Sequence, residues 1–309
     1  MNSYSTMSII GSGSFAKIYK VKRLMDNKIF AVKEIFFKSL KKSEKAQIVN
    51  EVNIMRELHS DYLVKYIKRE VDQSNGLLWI VMEYCQGGDL YHYLKAHTDL
   101  LHEDFIWILL AQVNEGLTYL HANKIIHRDI KPHNILFVDM YKLRIKIADF
   151  GLSTITNTFS VTYAGSPYYM SPEMTQSNPY NEKIDIWALG CLSYQLACRN
   201  PPFDAENHTK LKEKILIDSF EPLPAQYSNL LLEFVVVLLN KNQMDRPTSD
   251  QIGKHYRITL ALFDLKLKCK EIQLTLKEKS LFKAEHGLQT NRKRVRQCES
   301  SPIRSSTSL

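Results

Sequence analysis

The sequence predicts an α+β chain of two lobes, a small β-rich front with one embedded helix and a larger helical body. Three observations predict it. Apolar and polar residues alternate from about Tyr4 to Glu34, the period of strands. After Gly87-Gly88 the apolar spacing changes to the threes and fours of helices. The 309 residues are enough for two lobes and a cleft between them.

The elements follow in order. Gly11 and Gly13 break the opening alternation, giving strand, tight turn, strand, then a third strand through Ile29 to Lys33. Ile48, Val52, Met55 and Leu58 recur at three or four, a helix over Ser43 to Leu58 with Ser43 as its cap. Two strands, Leu63 to Val71 and Leu77 to Tyr84, are joined by the turn-forming Asp72-Gln73-Ser74-Asn75-Gly76. Helical patterns then run from Leu90 to His121, Asp185 to Cys198, His208 to Leu216 and Ser228 to Leu239. The domain is expected to occupy 4–260, with lobes of about 4–84 and 88–260.

Composition excludes several classes. With 44% hydrophobic and 24% charged residues, 11 Gly and 10 Pro, the chain is neither collagenous nor wholly disordered. Five scattered cysteines with no CxxC pair argue against a disulfide framework or a zinc module, and fit a reducing intracellular compartment. Met1 to Ser8 is polar, unlike a secretory leader. The most apolar run, Leu230 to Leu239, contains Glu233 and falls short of the roughly twenty residues a membrane span needs, so it reads as a buried helix. Of the net charge of +8, half sits in Gly287 to Leu309, which holds Arg292, Lys293, Arg294, Arg296 and Arg304 against Glu299. The body is too nearly neutral to be a nucleic-acid binder.

The chemistry begins in Gly11-Ser12-Gly13-Ser14-Phe15-Ala16-Lys17-Ile18, where missing side chains let backbone N–H groups approach phosphate oxygens. Alone it is equally a hairpin turn. It is unlike a dinucleotide-binding turn, because strand-like alternation continues after it and Ala16 stands at the third glycine position. Lys33 on the third strand and Glu51 on the following helix form a candidate ion pair aimed at phosphates. His127-Arg128-Asp129-Ile130-Lys131-Pro132-His133-Asn134 follows, and Asp149-Phe150-Gly151 lies twenty residues beyond Asp129. Two carboxylates and an amide in this order suit phosphoryl transfer, which needs a hydroxyl acceptor and oxygen ligands for a hard cation.

On these motifs the chain resembles the eukaryotic protein kinases. The resemblance covers about residues 4 to 260 and implies a bilobal protein kinase fold using ATP and Mg2+ on protein substrates. It makes Asp129 the catalytic base and Lys131 the partner of the transferring phosphate, with Asn134 and Asp149 as magnesium ligands. Lys131 points to serine and threonine acceptors. Adenine would lie between Ile10, Ile18 and Ala31 on one side and Leu136 on the other, bonded by the backbone of Glu83 and Cys85 beyond Met82, with Asp89 reaching the ribose. Cys85 reads as an unreactive hinge residue. Phe150 would pack on His127, with Met55 and Tyr66 completing an apolar column. The Ser/Thr-rich segment up to Glu173 resembles an activation loop, with Thr162 as its expected phosphorylation site beside Arg128, Thr154, Thr156, Thr158 and Ser160 as weaker candidates, and Ser166 positioning substrate. Glu173 should pair with Arg246, and Asp185 should brace the catalytic loop.

Asn50 to Leu58, Val81 to Leu90 and Gly165 to Glu173 resemble the NIMA-related (Nek) serine/threonine kinases, which implies a cell-cycle or microtubule setting. Ala16 and Ser166 depart from the usual residues without removing a catalytic group. The rival reading is a pseudokinase scaffold. A third gives the working role to residues 258–309 as a targeting or oligomerising module.

Beyond the domain, Ile258, Leu262, Leu265, Cys269, Ile272 and Leu276 form one seam, and Leu260, Leu267, Leu274 and Leu281 a second. This predicts a helical extension over 261–286, a short coiled coil open to packing on the lobe, on a partner or on a second copy. Residues 287–309 are expected to be a basic, disordered tail. Its Arg292 to Arg296 cluster is open to a nuclear-import, an anion-binding or a merely solubilising role, so nucleus and cytoplasm both stand. Ser301-Pro302 resembles a site for proline-directed kinases.

Overall fold

A computed structural model describes residues 3–12, 16–37, 40–141, 143–149 and 167–299, except the side chains of 43, 44, 46, 47, 50, 51, 54 and 280–299. The chain divides into two compact units, Met1–Leu262 and Phe263–Leu309.

The alternating front forms a five-stranded antiparallel sheet. Its strands are β1 (Tyr4–Ser12), β2 (Ala16–Arg23), β3 (Ile29–Phe36), β4 (Tyr66–Asp72) and β5 (Leu77–Glu83), in the order β1-β2-β3-β5-β4. Tyr4, Val21, Phe30, Val32 and Val81 pack into one apolar layer, Tyr4 meeting Phe30 edge-on at 6.0 Å. Helix α1 (Lys42–Glu57) follows β3, burying Val52 and Met55. It begins one residue before Ser43, so Ser43 lies inside its first turn.

The helical part starts with α2 (Leu90–Ala96) and α3 (Glu103–Ala122). The sequence suggested one continuous helical stretch here. The structure breaks it, because His97 leaves α2 in an extended conformation and His102 caps α3, accepting at Nδ1 from the Asp104 N–H. After α4 (Pro172–Thr175), α5 (Lys183–Cys198) is buried around nearly its whole circumference. Next come α6 (His208–Ile217), α7 (Asn229–Leu238) and α8 (Ser249–Gly253). Trp187 and Cys191 of α5, Phe203, Ile215 of α6 and Val235 of α7 share a core. The run read as a buried helix is α7, and it is buried on one face only: Val236 and Val237 are about half exposed.

Three short strands, β6 (Gly88–Asp89), β7 (Ile135–Phe137) and β8 (Ile145–Ile147), form a second antiparallel sheet in the order β6-β7-β8. Two or three residues are too few for alternation to announce them. The β8 strand reaches back to the segment before β4: Ile147 N–H donates to Tyr62 O at 2.8 Å, and Val64 N–H to Ile147 O at 2.9 Å.

Helix α9 runs Tyr256–Glu299. The tail expected to be disordered from Gly287 is thus helical through Glu299. Its straight-chain Gln, Arg, Lys and Glu residues are good helix formers, and extending an existing helix avoids the cost of nucleating one.

Candidate active site

The loop between α3 and β7 carries a cluster of paired polar groups. Its backbone is held from below by Asp185, a carboxylate 1% exposed on α5 that accepts from the N–H groups of His127 and Arg128, each at 2.8 Å. Arg128 sits at φ 69°, a left-handed conformation that costs a non-glycine residue about 1 to 2 kcal/mol. Two charge-assisted bonds to Asp185 offset that cost, which is the bracing the sequence predicted. His127 is fully buried. Its Nε2–H donates to Ala148 O at 3.0 Å, while Nδ1 accepts from the Asp129 N–H at 3.2 Å. That is the neutral tautomer, and burial lowers its pKa further from the ordinary value.

Asp129 projects from this scaffold. Lys131 Nζ donates to both its carboxylate oxygens, at 2.8 and 2.7 Å, and Asn134 Nδ2 donates to its Oδ2 at 2.8 Å and its backbone O at 2.7 Å. The Asn134 amide therefore spends its nitrogen on Asp129 and leaves Oδ1 as an oxygen ligand. A Pro132–Asn134 turn places it, and the Ala148 N–H donates to Asn134 O at 2.8 Å, tying this loop to the residue before Asp149.

Asp149 takes φ 56° and accepts from Lys33 Nζ at 2.8 Å. Lys33 is buried on β3 at 7% exposure. Its ammonium holds the Asp149 carboxyl below the usual carboxylate range, against the opposing effect of burial, so Asp149 is ionised at neutral pH. The expected pairing of Lys33 with Glu51 rests on a side chain outside the described residues. Asn134 Oδ1 and the Asp149 carboxylate are hard oxygen donors of the kind Mg2+ takes when most of its shell is phosphate and water.

The neighbouring walls come from the sheet and the connection after it. Ala31 is buried, Ile18 and Leu136 are half-buried, and Ile10 is exposed. Met82 and Met55 are buried and Tyr66 half-buried. Glu83 has an unforeseen role: its Oε1 accepts from the Lys65 N–H at 2.5 Å and pairs with Lys146 Nζ at 2.7 Å, joining the connection to β8. Cys85 is buried, and burial pushes its thiol up to about 12, which makes it unreactive as expected. Asp89, expected at a ribose, caps α2 by accepting from the His92 N–H at 2.8 Å. Gly11, Ser12, Ala16 and Lys17 lie on paired strands. Gly13, Ser14, Phe15, Phe150, Thr154, Thr156, Thr158, Ser160, Thr162 and Ser166 lie outside the described residues.

Comparison with protein families matches residues 4–257 to the protein kinase domain. The chain is 38% identical over 275 residues to the probable serine/threonine-protein kinase nek2 of Dictyostelium discoideum, covering 86% of this chain and 65% of that one. It is 39% identical over 260 residues to human serine/threonine-protein kinase Nek2, covering 81% and 58%. Against the G2-specific protein kinase nimA of Emericella nidulans it is 36% identical over 276 residues, covering 79% and 39%. The chain thus spans less than two thirds of the length of each of these relatives.

Proposed function

Because the chain belongs to the protein kinase family, we propose that it is a NIMA-type serine/threonine kinase, transferring the γ-phosphate of Mg-ATP to hydroxyls of protein substrates. One observation carries the reading: Asp129, clasped by Lys131 and Asn134, is hydrogen-bonded into the same framework as the Lys33–Asp149 pair. A carboxylate base, two cations and two oxygen ligands then face one site.

Asp129 orients the acceptor hydroxyl and takes its proton. Lys131, already on Asp129, steadies the phosphate oxygens, and Lys33 anchors the nucleotide's phosphates from the sheet. Asn134 and Asp149 hold Mg2+, which supplies charge neutralisation at the phosphates when bound. Ile10, Ile18, Ala31 and Leu136 enclose adenine, and the Glu83 and Cys85 backbone groups fix its edge. Phosphorylation at Thr162, with Arg128 as the cation that receives the phosphate, activates the enzyme, and Ser166 presents the substrate. The name of the nimA relative, a G2-specific protein kinase, supports a cell-cycle role, and we place it in nucleus or cytoplasm. Residues 258–286 pair with a second copy.

The test is phosphate transfer from labelled Mg-ATP to a generic protein substrate by the chain and by Asp129→Asn. The variant should keep its fold and nucleotide affinity and lose on the order of 10²- to 10⁴-fold in turnover. Near-normal turnover in the variant overturns the assignment of Asp129. No transfer by either, even after treatment with an activating kinase, favours a scaffold that binds partners without catalysis.

A further inference from the structure

Asp89 stands where the chain enters α2, and one residue claims its carboxylate twice. The His92 backbone N–H donates to Oδ1 at 2.8 Å, which caps the helix. The His92 ring adds a second bond, its Nδ1 lying 2.9 Å from Oδ1 and 2.8 Å from Oδ2. Carboxylate oxygens accept and do not donate, so this nitrogen carries the ring hydrogen. The cap needs only the backbone bond. The ring bond is additional, and it spans both oxygens of a group that offers about four acceptor directions.

Neighbours hold the ring in this place. Tyr91 meets it edge-on at 5.3 Å and stacks on His133 at 3.9 Å, 19° from parallel. His133 belongs to the catalytic loop, between Lys131 and Asn134, and feels the charge of both Asp89 and Asp129. In the β6–β7 ladder Asp89 is paired with Leu136, one of the residues proposed to enclose adenine. Asp89 thus neighbours both the adenine wall and the phosphate-transferring loop, and the sugar of a nucleotide is what joins its base to its phosphates. The His92 side chain is 73% exposed, against 22% for Asp89, so the ring can swing away with little packing lost.

We propose that His92 is a specificity-determining residue for the nucleotide. Its ring occupies the Asp89 oxygens that ribose hydroxyls need as acceptors, so the ribose must displace it to bind them. The proposal rests on the kinase reading above, with the ribose at Asp89. A masked carboxylate rewards the ribose hydroxyls little, and the enzyme therefore tolerates nucleotides that lack them.

The experiment compares the full chain with His92→Ala and His92→Asn, reading the Kd of Mg-ATP and of Mg-2′,3′-dideoxyATP by calorimetry. An exposed pair of this kind is worth a small factor, so His92→Ala should tighten Mg-ATP about two- to fivefold and leave the dideoxy nucleotide within about 1.5-fold. The amide nitrogen of asparagine can stand where Nδ1 does, so His92→Asn should bind both nucleotides as the wild type does. Unchanged or weaker Mg-ATP binding by His92→Ala overturns the proposal. Equal tightening of both nucleotides also overturns it, since the ring would then act through α2 and not on the sugar. Binding reads the mask without turnover, so a chain that gives the expected affinities and transfers no phosphate counts against the catalytic reading alone.

Discussion

Arg246 is among the largest fully buried side chains of the protein, and all of its hydrogen-bonding capacity is used. Nη1 donates to Glu173 Oε1 at 2.6 Å and to Lys183 O at 3.1 Å, and Nη2 to Glu173 Oε2 at 2.8 Å and Lys241 O at 3.3 Å. Nε donates to Asn240 O at 2.8 Å, and the guanidinium lies 5.0 Å over the Trp187 ring. Five donors thus meet five acceptors in a planar fork that no lysine reproduces. Arg246→Met should destabilise the protein by about 3 to 5 kcal/mol, mainly because it strands the Glu173 carboxylate in the core. Arg246→Lys should recover little of this. Pairing Arg246→Met with Glu173→Gln should recover part, since the orphaned charge is gone. Urea unfolding of the four chains checks the order; a single Met variant as stable as the wild type contradicts it.

At the scale of elements, the chain passes from β5 into β6 over two glycines, Gly87 just before β6 and Gly88 as its first residue, needed for different reasons. A Cβ on Gly87 would lie 2.4 Å from Asp139 O and 2.5 Å from Phe137 Cβ, so the backbone passes where only hydrogen fits. Gly88 has open space but takes φ +76°. Gly87→Ala should cost about 1 to 3 kcal/mol by overpacking, and should raise KM for Mg-ATP because the displaced backbone follows closely on Glu83 and Cys85, the proposed adenine edge. Gly88→Ala should cost about 1 kcal/mol, through backbone strain alone, with KM unchanged. Equal KM values for both variants would dissociate this connection from nucleotide binding. The five strands are legible from short-range alternation, whereas the catalytic loop's roles and the Glu173–Arg246 pair, 73 residues apart, are legible only through the resemblance to protein kinases. The sequence could not reveal the break between α2 and α3, since Leu100 and Leu101 continue the apolar pattern through it. Nor could it reveal the hydrogen bond between His121 and Ser249, which are 128 residues apart and linked only by the folded chain.

At the scale of the whole molecule, α9 presents an apolar row that its own burial does not account for. Ile258 and Leu265 are buried, yet Leu260, Phe263, Leu267 and Leu274 are 42, 59, 45 and 61% exposed. Their spacing of three, four and seven is that of a coiled-coil seam, with Lys270 in an inward slot where a cation lowers stability and fixes register. Such a row facing water gains about 25 cal/mol for each Å² of apolar surface covered, and a second copy supplies a matching seam. The full chain should therefore sediment as a dimer at micromolar concentration. Leu267→Glu with Leu274→Glu should convert it to monomer, by placing like charges in the seam, and leave the unfolding midpoint of the kinase domain unchanged. A wild-type chain that stays monomeric at all concentrations would remove the second copy as the partner of this helix. A charged double variant that still dimerises would move the interface elsewhere.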